Sequence, residues 1–130
     1  LREDATMRGD LGRAEALLRS GRAFLYEALE EAWQTVTAGQ TLIVAQRAIV
    51  WLASTQAANA AKQATELMFT AGGATSAYTS NGLERCLRDV HAAGQHLTLA
   101  PTNYEMVGQA LLGSDMRTTP LLVRDDRSAE

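Results

Sequence analysis

Apolar residues recur every three or four positions over most of this chain, and that spacing limits the fold more than any other feature. In the first segment they follow the 3.6-residue period of an α-helix. These residues are Leu11, Ala14, Leu18, Leu25, Leu29, Ala32 and Val36. We predict one helix over residues 10–37, with Asp10 as its N-cap and Gly39 at its end. Residues 1–9 form a charged lead-in without periodicity.

A second, alanine-rich helix is predicted from Thr41, its proposed cap, to about Thr70. Alanine favours the helix and lets a neighbouring helix approach closely. The predicted apolar stripe contains Leu42, Ala45, Ile49, Leu52, Ala60, Ala64 and Leu67. The pair Gly72-Gly73 ends this helix, because a tight turn after a helix C-terminus needs a positive φ, which glycine adopts without strain.

A third helix is predicted after the glycine-containing turn. Asn81 and Glu84 have the spacing of a capping box. The buried side would contain Leu83, Leu87 and Val90. The helix should end near Leu97, since Pro101 disfavours helical geometry in the residue before it.

A short fourth helix is predicted from Pro101 to Leu112, packing through Tyr104, Val107 and Leu111 and ending at Gly113. Residues 114–130 are mostly polar and are predicted to form a C-terminal arm.

These elements predict an all-α fold, an antiparallel helical bundle over residues 10–113. The sequence shows no strand pattern and no internal repeat. A bundle of this kind is often completed by another helix, which would come from upstream sequence or from a partner chain. The chain begins on Leu1 and not on methionine, so we expect a fragment of a longer protein, a processed chain or an incomplete gene model.

Composition excludes several classes of function. The net charge of −3 over 130 residues offers no clustered basic face for nucleic acid. Cys86, the single cysteine, cannot form an internal disulfide. The apolar run at residues 42–53 is too short to span a bilayer, and no signal-peptide pattern is present. We therefore expect a cytoplasmic protein with neither nucleic acid nor membrane as a partner.

The two histidines are the first candidates for chemistry. His91 and His96 lie five residues apart, about 140° around a helix, unlike two metal ligands at i and i+4. We therefore predict no metal site. For either histidine, the alternative is a bundle residue that bonds backbone or a facing helix. Likewise, the Gly72-Gly73 turn could bring backbone N–H groups close to a phosphate or a flavin. The residues alone leave these alternatives open.

Three stretches of the sequence resemble a known family. They are FTAGGATSAY, NGLERCLRDVHAAGQH and LAPTNYEMVGQALLG. They are similar to the C-terminal helical domain of the acyl-CoA dehydrogenase superfamily, in the branch of flavin-dependent monooxygenases that act on aromatics and organosulfur compounds. The likeness runs from about Leu11 to Gly113. The family's N-terminal helical domain, middle β-domain and first helix of the C-terminal bundle have no counterpart in this chain.

The resemblance implies a cofactor and an assembly. It implies a bundle at the core of a homodimer or homotetramer. It also implies that the Gly72-Gly73 turn lies against a flavin, FAD or FMN, bound mainly by a neighbouring subunit. The third helix would end near the isoalloxazine ring. We expect that the isolated domain does not retain the flavin.

The same resemblance bears on catalysis. In the dehydrogenases, a stretch like RDAKIYQIYEGT follows the Arg-Asp pair and often supplies the catalytic glutamate. That glutamate aligns with Leu97, which cannot act as a base, and the preceding tyrosine aligns with His96. The monooxygenases place a histidine near this position. His96 is therefore the first predicted catalytic residue and His91 the second, because an imidazole can assist oxygen activation or help deprotonate a phenolic substrate.

We thus predict the C-terminal flavin-contacting and oligomerisation domain of a flavin-dependent monooxygenase, inactive in isolation. Its partners would be a flavin reductase and a small-molecule substrate. One alternative is the C-terminal domain of an acyl-CoA dehydrogenase, using FAD and an acyl thioester with a base located elsewhere. Another is a non-catalytic helical assembly or ligand-binding module.

Overall fold

A computed structural model describes residues 5–113, and within that range the chain forms four α-helices and no strand. The helices are α1 (Ala5–Thr37), α2 (Val44–Ala71), α3 (Leu83–Ala93) and α4 (Asn103–Leu111). Short 3₁₀ turns lie at Gly73–Ala77, Thr79–Asn81 and Leu97–Leu99. The predicted all-α fold is confirmed, while the predicted arm at 114–130 lies outside the described residues. Over the described range, no helix is long and apolar enough to cross a membrane.

The central element of the fold is α2, because each of the other helices packs against it. Contacts between α1 and α2 run antiparallel, from Gly21 against Ala60 to Thr35 against Gln46. Of the two later helices, α3 packs beside the C-terminal half of α2, and α4 packs beside the N-terminal half of α2. His91 of α3 contacts Glu66 of α2, and Asn103 of α4 donates a hydrogen bond to Thr55 of α2.

The first helix begins five residues before its predicted start. Asp10 is therefore not an N-cap but lies inside α1, where its Oδ1 accepts a hydrogen bond from Arg13 Nη1 at 2.8 Å. The prediction relied on apolar spacing, and the added residues 5–9 contain no fully buried residue and no apolar periodicity. The predicted stop is confirmed, since α1 ends at Thr37 and Gly39 follows with φ of 76°.

The buried face of α1 differs from the predicted stripe. The buried residues are Ala14, Gly21 and Ala28, spaced seven apart. Most of the large residues of the predicted stripe are exposed: Leu11, Leu18, Leu29 and Val36. The reason is that α2 presents alanines toward α1, and two small-residue surfaces pack with their backbones close together.

The two helices approach each other closely at Gly21. A Cβ atom at this position would lie 3.0 Å from Ala60 Cβ and 3.4 Å from Ala57 Cα. Those distances leave no room for a larger side chain without moving one helix. The missing side chain of Gly21 therefore sets the spacing between α1 and α2.

The start of α2 is fixed by Gln46 and not by Thr41, which corrects the predicted cap. Ile43 occupies the N-cap position, and its backbone N–H donates to Gln46 Oε1 at 3.2 Å. The Gln46 amide also donates to Thr35 Oγ1 at 2.8 Å, which ties the end of α1 to the start of α2. In the predicted stripe of α2, the alanines in the C-terminal half are buried whereas Ala45 is exposed.

The cap of α3 also differs from the prediction. Gly82, with φ of 61°, occupies the N-cap position, and no side chain caps the helix. Asn81 instead donates from Nδ2 to the Thr75 carbonyl at 3.1 Å within the preceding turn. The predicted inward residues of α3 are half-buried. The helix ends at Ala93, four residues before the predicted end near Leu97.

A buried asparagine anchors α4. Asn103 Nδ2 donates to Thr55 Oγ1 at 3.1 Å and to the Leu97 carbonyl at 3.0 Å. Val107 packs against Ala48 in a small apolar core that also includes Trp51, Leu52, Met106 and Ala110. The predicted packing of Val107 is confirmed, whereas Leu111 is exposed at the end of the helix.

The substitution Gly21→Leu should destabilise the fold, because it forces a large side chain between α1 and α2. We expect a loss of about 1–3 kcal/mol, the usual cost of overpacking. The matched control is Gly12→Leu, since Gly12 lies in the same helix with open space around it. Both variants gain the same helix propensity, so the difference between their urea midpoints isolates the packing cost. Equal midpoints would contradict the proposed role of Gly21.

The substitution Asn103→Ala should also destabilise the fold, because it leaves the buried Thr55 hydroxyl without its partner. An unsatisfied buried polar group costs about 1–3 kcal/mol. The control is Asn81→Ala, which removes one amide hydrogen bond from an exposed turn. Chemical denaturation of the two variants compares them directly. An equal loss in both variants would show that burial of Asn103 contributes nothing.

Candidate functional site

The four predicted site residues lie at opposite ends of α3. The Gly72-Gly73 turn adjoins the start of α3, where Leu83 Cδ1 is 3.4 Å from the place of a Cβ on Gly72. His91 and His96 lie in its last turn and just beyond it. The eleven residues of α3 span about 16 Å. The described chain therefore does not bring the glycines and the histidines into one compact pocket.

The two glycines of the turn serve different purposes. Gly73 has φ of 61°, is exposed, and has nothing within 4 Å of where a Cβ would be. Gly72 has an ordinary helical φ of −73°, and a Cβ there would overlap Ser76 Oγ. The predicted positive φ is thus confirmed for Gly73 alone. Gly72 is required for close packing inside the chain, while Gly73 leaves its backbone open to an approaching group.

The turn is held by hydrogen bonds of its own residues. Thr75 Oγ1 donates to the Gly72 carbonyl at 2.7 Å, and Asn81 Nδ2 donates to the Thr75 carbonyl. Ser76 is fully buried beneath the turn, and its Oγ has no hydrogen-bond partner among the described residues. These hydrogen bonds stabilise the turn, whereas the buried Ser76 Oγ lacks a hydrogen-bond partner among the described residues.

His91 bridges two helices. Its Nε2 lies 3.1 Å from Glu66 Oε1 of α2, and Lys62 Nζ lies 4.0 Å from the same carboxylate oxygen. Its side chain is 45% exposed. It also lines a cavity of about 90 Å³ between α2 and α3, with Asn59 and Gln95. In this position His91 connects α3 to α2 through the contact between its Nε2 and the Glu66 carboxylate.

His96 lies outside α3, which corrects the expectation that both histidines share one helix. It occupies the N-cap position of the 3₁₀ turn Leu97–Leu99. Its Nδ1 accepts the Thr98 backbone N–H at 3.3 Å, and Thr98 Oγ1 lies 2.8 Å from the same nitrogen. Within residues 5–113, the hydrogen bonds of the ring are made by Nδ1. The imidazole is exposed, with one nitrogen held locally and the other open.

Sequence reasoning missed the residues that hold the two histidines. Glu66 is distant in sequence from His91, so only the pairing of α2 with α3 reveals their contact. The contact with Thr98 is local, since a side chain at an N-cap can accept the backbone N–H two positions later. Asn103 holds the carbonyl of Leu97, the residue next to His96. Over the described range, no three His, Cys, Asp or Glu side chains gather closely enough to hold a metal ion.

Comparisons with known proteins agree with this architecture. Residues 1–101 match the family model described as acyl-CoA dehydrogenase, C-terminal domain. The chain is 36% identical over 104 residues to the indole-3-acetate monooxygenase of Pseudomonas putida. It is 24% identical over 104 residues to the protein of the same name from Acinetobacter baumannii. Each alignment covers 80% of this chain and 27% of the relative. No solved structure matches the chain at a significant level.

The chain therefore spans about a quarter of the length of the curated relatives that it matches. Flavin use is implied by the family and by the monooxygenases among its relatives. With the family match covering most of the chain and the four-helix architecture in agreement, this chain belongs to the acyl-CoA dehydrogenase superfamily, as a C-terminal helical domain of that fold.

Proposed function

We propose that this chain is the flavin-contacting and oligomerisation domain of a flavin-dependent monooxygenase. The observation that carries the proposal is His96, an exposed imidazole held through Nδ1 with Nε2 open. It stands beside Leu97, the position at which the dehydrogenases often have their catalytic glutamate. An apolar residue there cannot abstract a proton, which disfavours the dehydrogenase alternative.

The monooxygenase relatives support an aromatic substrate. Both carry the name indole-3-acetate monooxygenase. We propose that the whole protein hydroxylates a small aromatic molecule of that class. In this proposal His96 contacts the reacting groups, and His91 attaches α3 to α2 through Glu66.

The open backbone at Gly73 fits the approach of a flavin, because no side chain lies over it. The bound flavin, FAD or FMN, would supply the redox chemistry with dioxygen after reduction by a separate flavin reductase. Gly73 and His96 lie at opposite ends of α3. We therefore propose that the glycine turn contacts a flavin bound mainly by a neighbouring subunit. With these two contacts alone, the isolated chain should neither retain flavin nor turn over substrate.

The exposed apolar face of α1 supports self-association. The large side chains on this face are Leu11, Leu18, Tyr26, Leu29, Trp33 and Val36, each between 44% and 66% exposed. They lie on one face along about 38 Å of the helix, with the Arg22 guanidinium over the Tyr26 ring among them, and large apolar side chains grouped on an exposed face are typical of an interaction site. We propose that a second copy of the chain covers this face in a homodimer or homotetramer.

The role of His96 is tested by His96→Ala in the whole protein that carries this domain. We expect product formation from indole-3-acetate, with reduced flavin supplied, to fall by about 100-fold or more, as when a positioned acid–base group is lost. His91→Gln should reduce the rate by less than about tenfold, since glutamine keeps a donor for Glu66. A larger loss in the His91 variant would transfer the role to His91. Wild-type rates in both would contradict the proposal.

Self-association is tested by Trp33→Asp, which places a charge at the most exposed large side chain of the apolar face. We expect light scattering to show a lower mass than for the wild type, because a carboxylate is costly to bury without a partner. The matched control is Ala23→Asp, which adds the same charge to an exposed position on the polar side of α1. An unchanged mass for Trp33→Asp would contradict this interface, and an equal drop in both variants would indicate a general effect of charge.

A further inference from the structure

We propose that Thr98 holds His96 in the neutral tautomer that carries its proton on Nε2. His96 then acts as a hydrogen-bond donor toward the reacting groups and not as a base at Nε2. This inference rests on the proposed function for its catalytic meaning. Its structural part, the tautomer, stands on the contacts around Nδ1.

The first contact is with the backbone. The Thr98 N–H points at His96 Nδ1, with 3.3 Å between the two nitrogens. A backbone N–H can donate and cannot accept. A proton on Nδ1 would therefore face another proton, and the 3₁₀ turn Leu97–Leu99 would lose its cap. The contact favours a bare Nδ1.

The second contact is with the hydroxyl of the same residue. Thr98 Oγ1 lies 2.8 Å from His96 Nδ1. A hydroxyl can either donate or accept, so by itself this contact is compatible with both tautomers. Because the backbone N–H already requires Nδ1 as an acceptor, the hydroxyl donates as well. The two donors of Thr98 then share the lone pair of Nδ1.

The consequence concerns the open side of the ring. With Nδ1 bare, the neutral imidazole carries its proton on Nε2. Both hydrogen bonds of the ring within the described chain are made by Nδ1, and the side chain is exposed, so Nε2 is available to a group from outside that part of the chain. The group that it meets must offer a lone pair, as a substrate oxygen does. Accepting a proton at Nε2 would first require moving the ring proton to Nδ1, where it would face the Thr98 backbone N–H. Thr98 is thus a positioning residue, acting through His96.

The tautomer can be read directly by long-range ¹H–¹⁵N correlation spectra of the 130-residue chain with labelled histidine. The spectra are recorded at about pH 9, so that they report the neutral form of histidine. His91→Gln assigns the signals, since His91 and His96 are the two histidines of the chain. We expect His96 to show a protonated Nε2 and a bare, hydrogen-bonded Nδ1.

The variant Thr98→Val keeps the branched shape and removes the hydroxyl donor. Because residue 98 keeps its backbone N–H, Nε2 of His96 should remain protonated, while the Nδ1 signal should shift as one of its two hydrogen bonds is lost; Thr98→Ser should retain the wild-type spectrum. The matched control is Thr102→Val, the same change at an exposed threonine whose side chain makes no cap hydrogen bond. A proton mainly on Nδ1 in the wild type would overturn the inference. So would a Thr98→Val spectrum that equals that of Thr102→Val.

The catalytic part is tested in the whole protein by two substitutions at His96. Glutamine places an NH₂ donor near the location of Nε2, whereas asparagine places its polar group near the location of Nδ1. If His96 donates, His96→Gln should retain activity within about tenfold of the wild type, and His96→Asn should lose about 100-fold. Equal losses in both would exclude the donor role. Full activity in both would reject the proposed function while leaving the tautomer result unaffected.

Discussion

The contact between α1 and α2 at Gly21 is the constraint on which the rest of the domain depends. The helices approach so closely that Gly21 has no room for a side chain against Ala60. This close approach explains why the residues that α1 buries are Ala14, Gly21 and Ala28, while its larger side chains lie outside. Those exposed residues form the surface that we assign to a second copy. The row of small residues on α1 therefore determines both how α1 packs against α2 and which apolar side chains remain exposed for self-association.

On the opposite side of α2, polar contacts accompany the small apolar core between α2 and α4. Asn103 ties α4 to Thr55 and to the Leu97 carbonyl, while Glu66 holds His91. A buried amide has strict geometric requirements, because leaving its partners unsatisfied is costly. These contacts place the Leu97–Leu99 turn against α2. His96 is the N-cap of that turn, so these contacts also determine where the imidazole lies.

The two ends of α3 carry different candidate site residues. One end carries the glycine turn, in which Gly72 packs on Ser76 while Gly73 remains open. The other end carries His96, with its ring held by Thr98. In a family whose members use flavin, this separation supports contacts with different cofactor groups at the two ends. The length of α3, 11 residues, thus determines the distance between Gly73 and His96, the two contacts that the proposed reaction needs.

The sequence by itself determined the all-α fold, the number of helices, the glycine stops and the family. Those features depend on local spacing and on motif residues, which can be read along the chain. The tertiary structure decided which face of α1 is buried, because the periodicity of Leu11, Leu18 and Leu29 reports an apolar face but not its partner. It also decided the different roles of Gly72 and Gly73, and the end of α3 at Ala93 that leaves His96 outside the helix. The buried face of α1 depends on contacts with residues distant in sequence, and the other two depend on the backbone geometry of a turn or a helix end, which residue types alone do not determine.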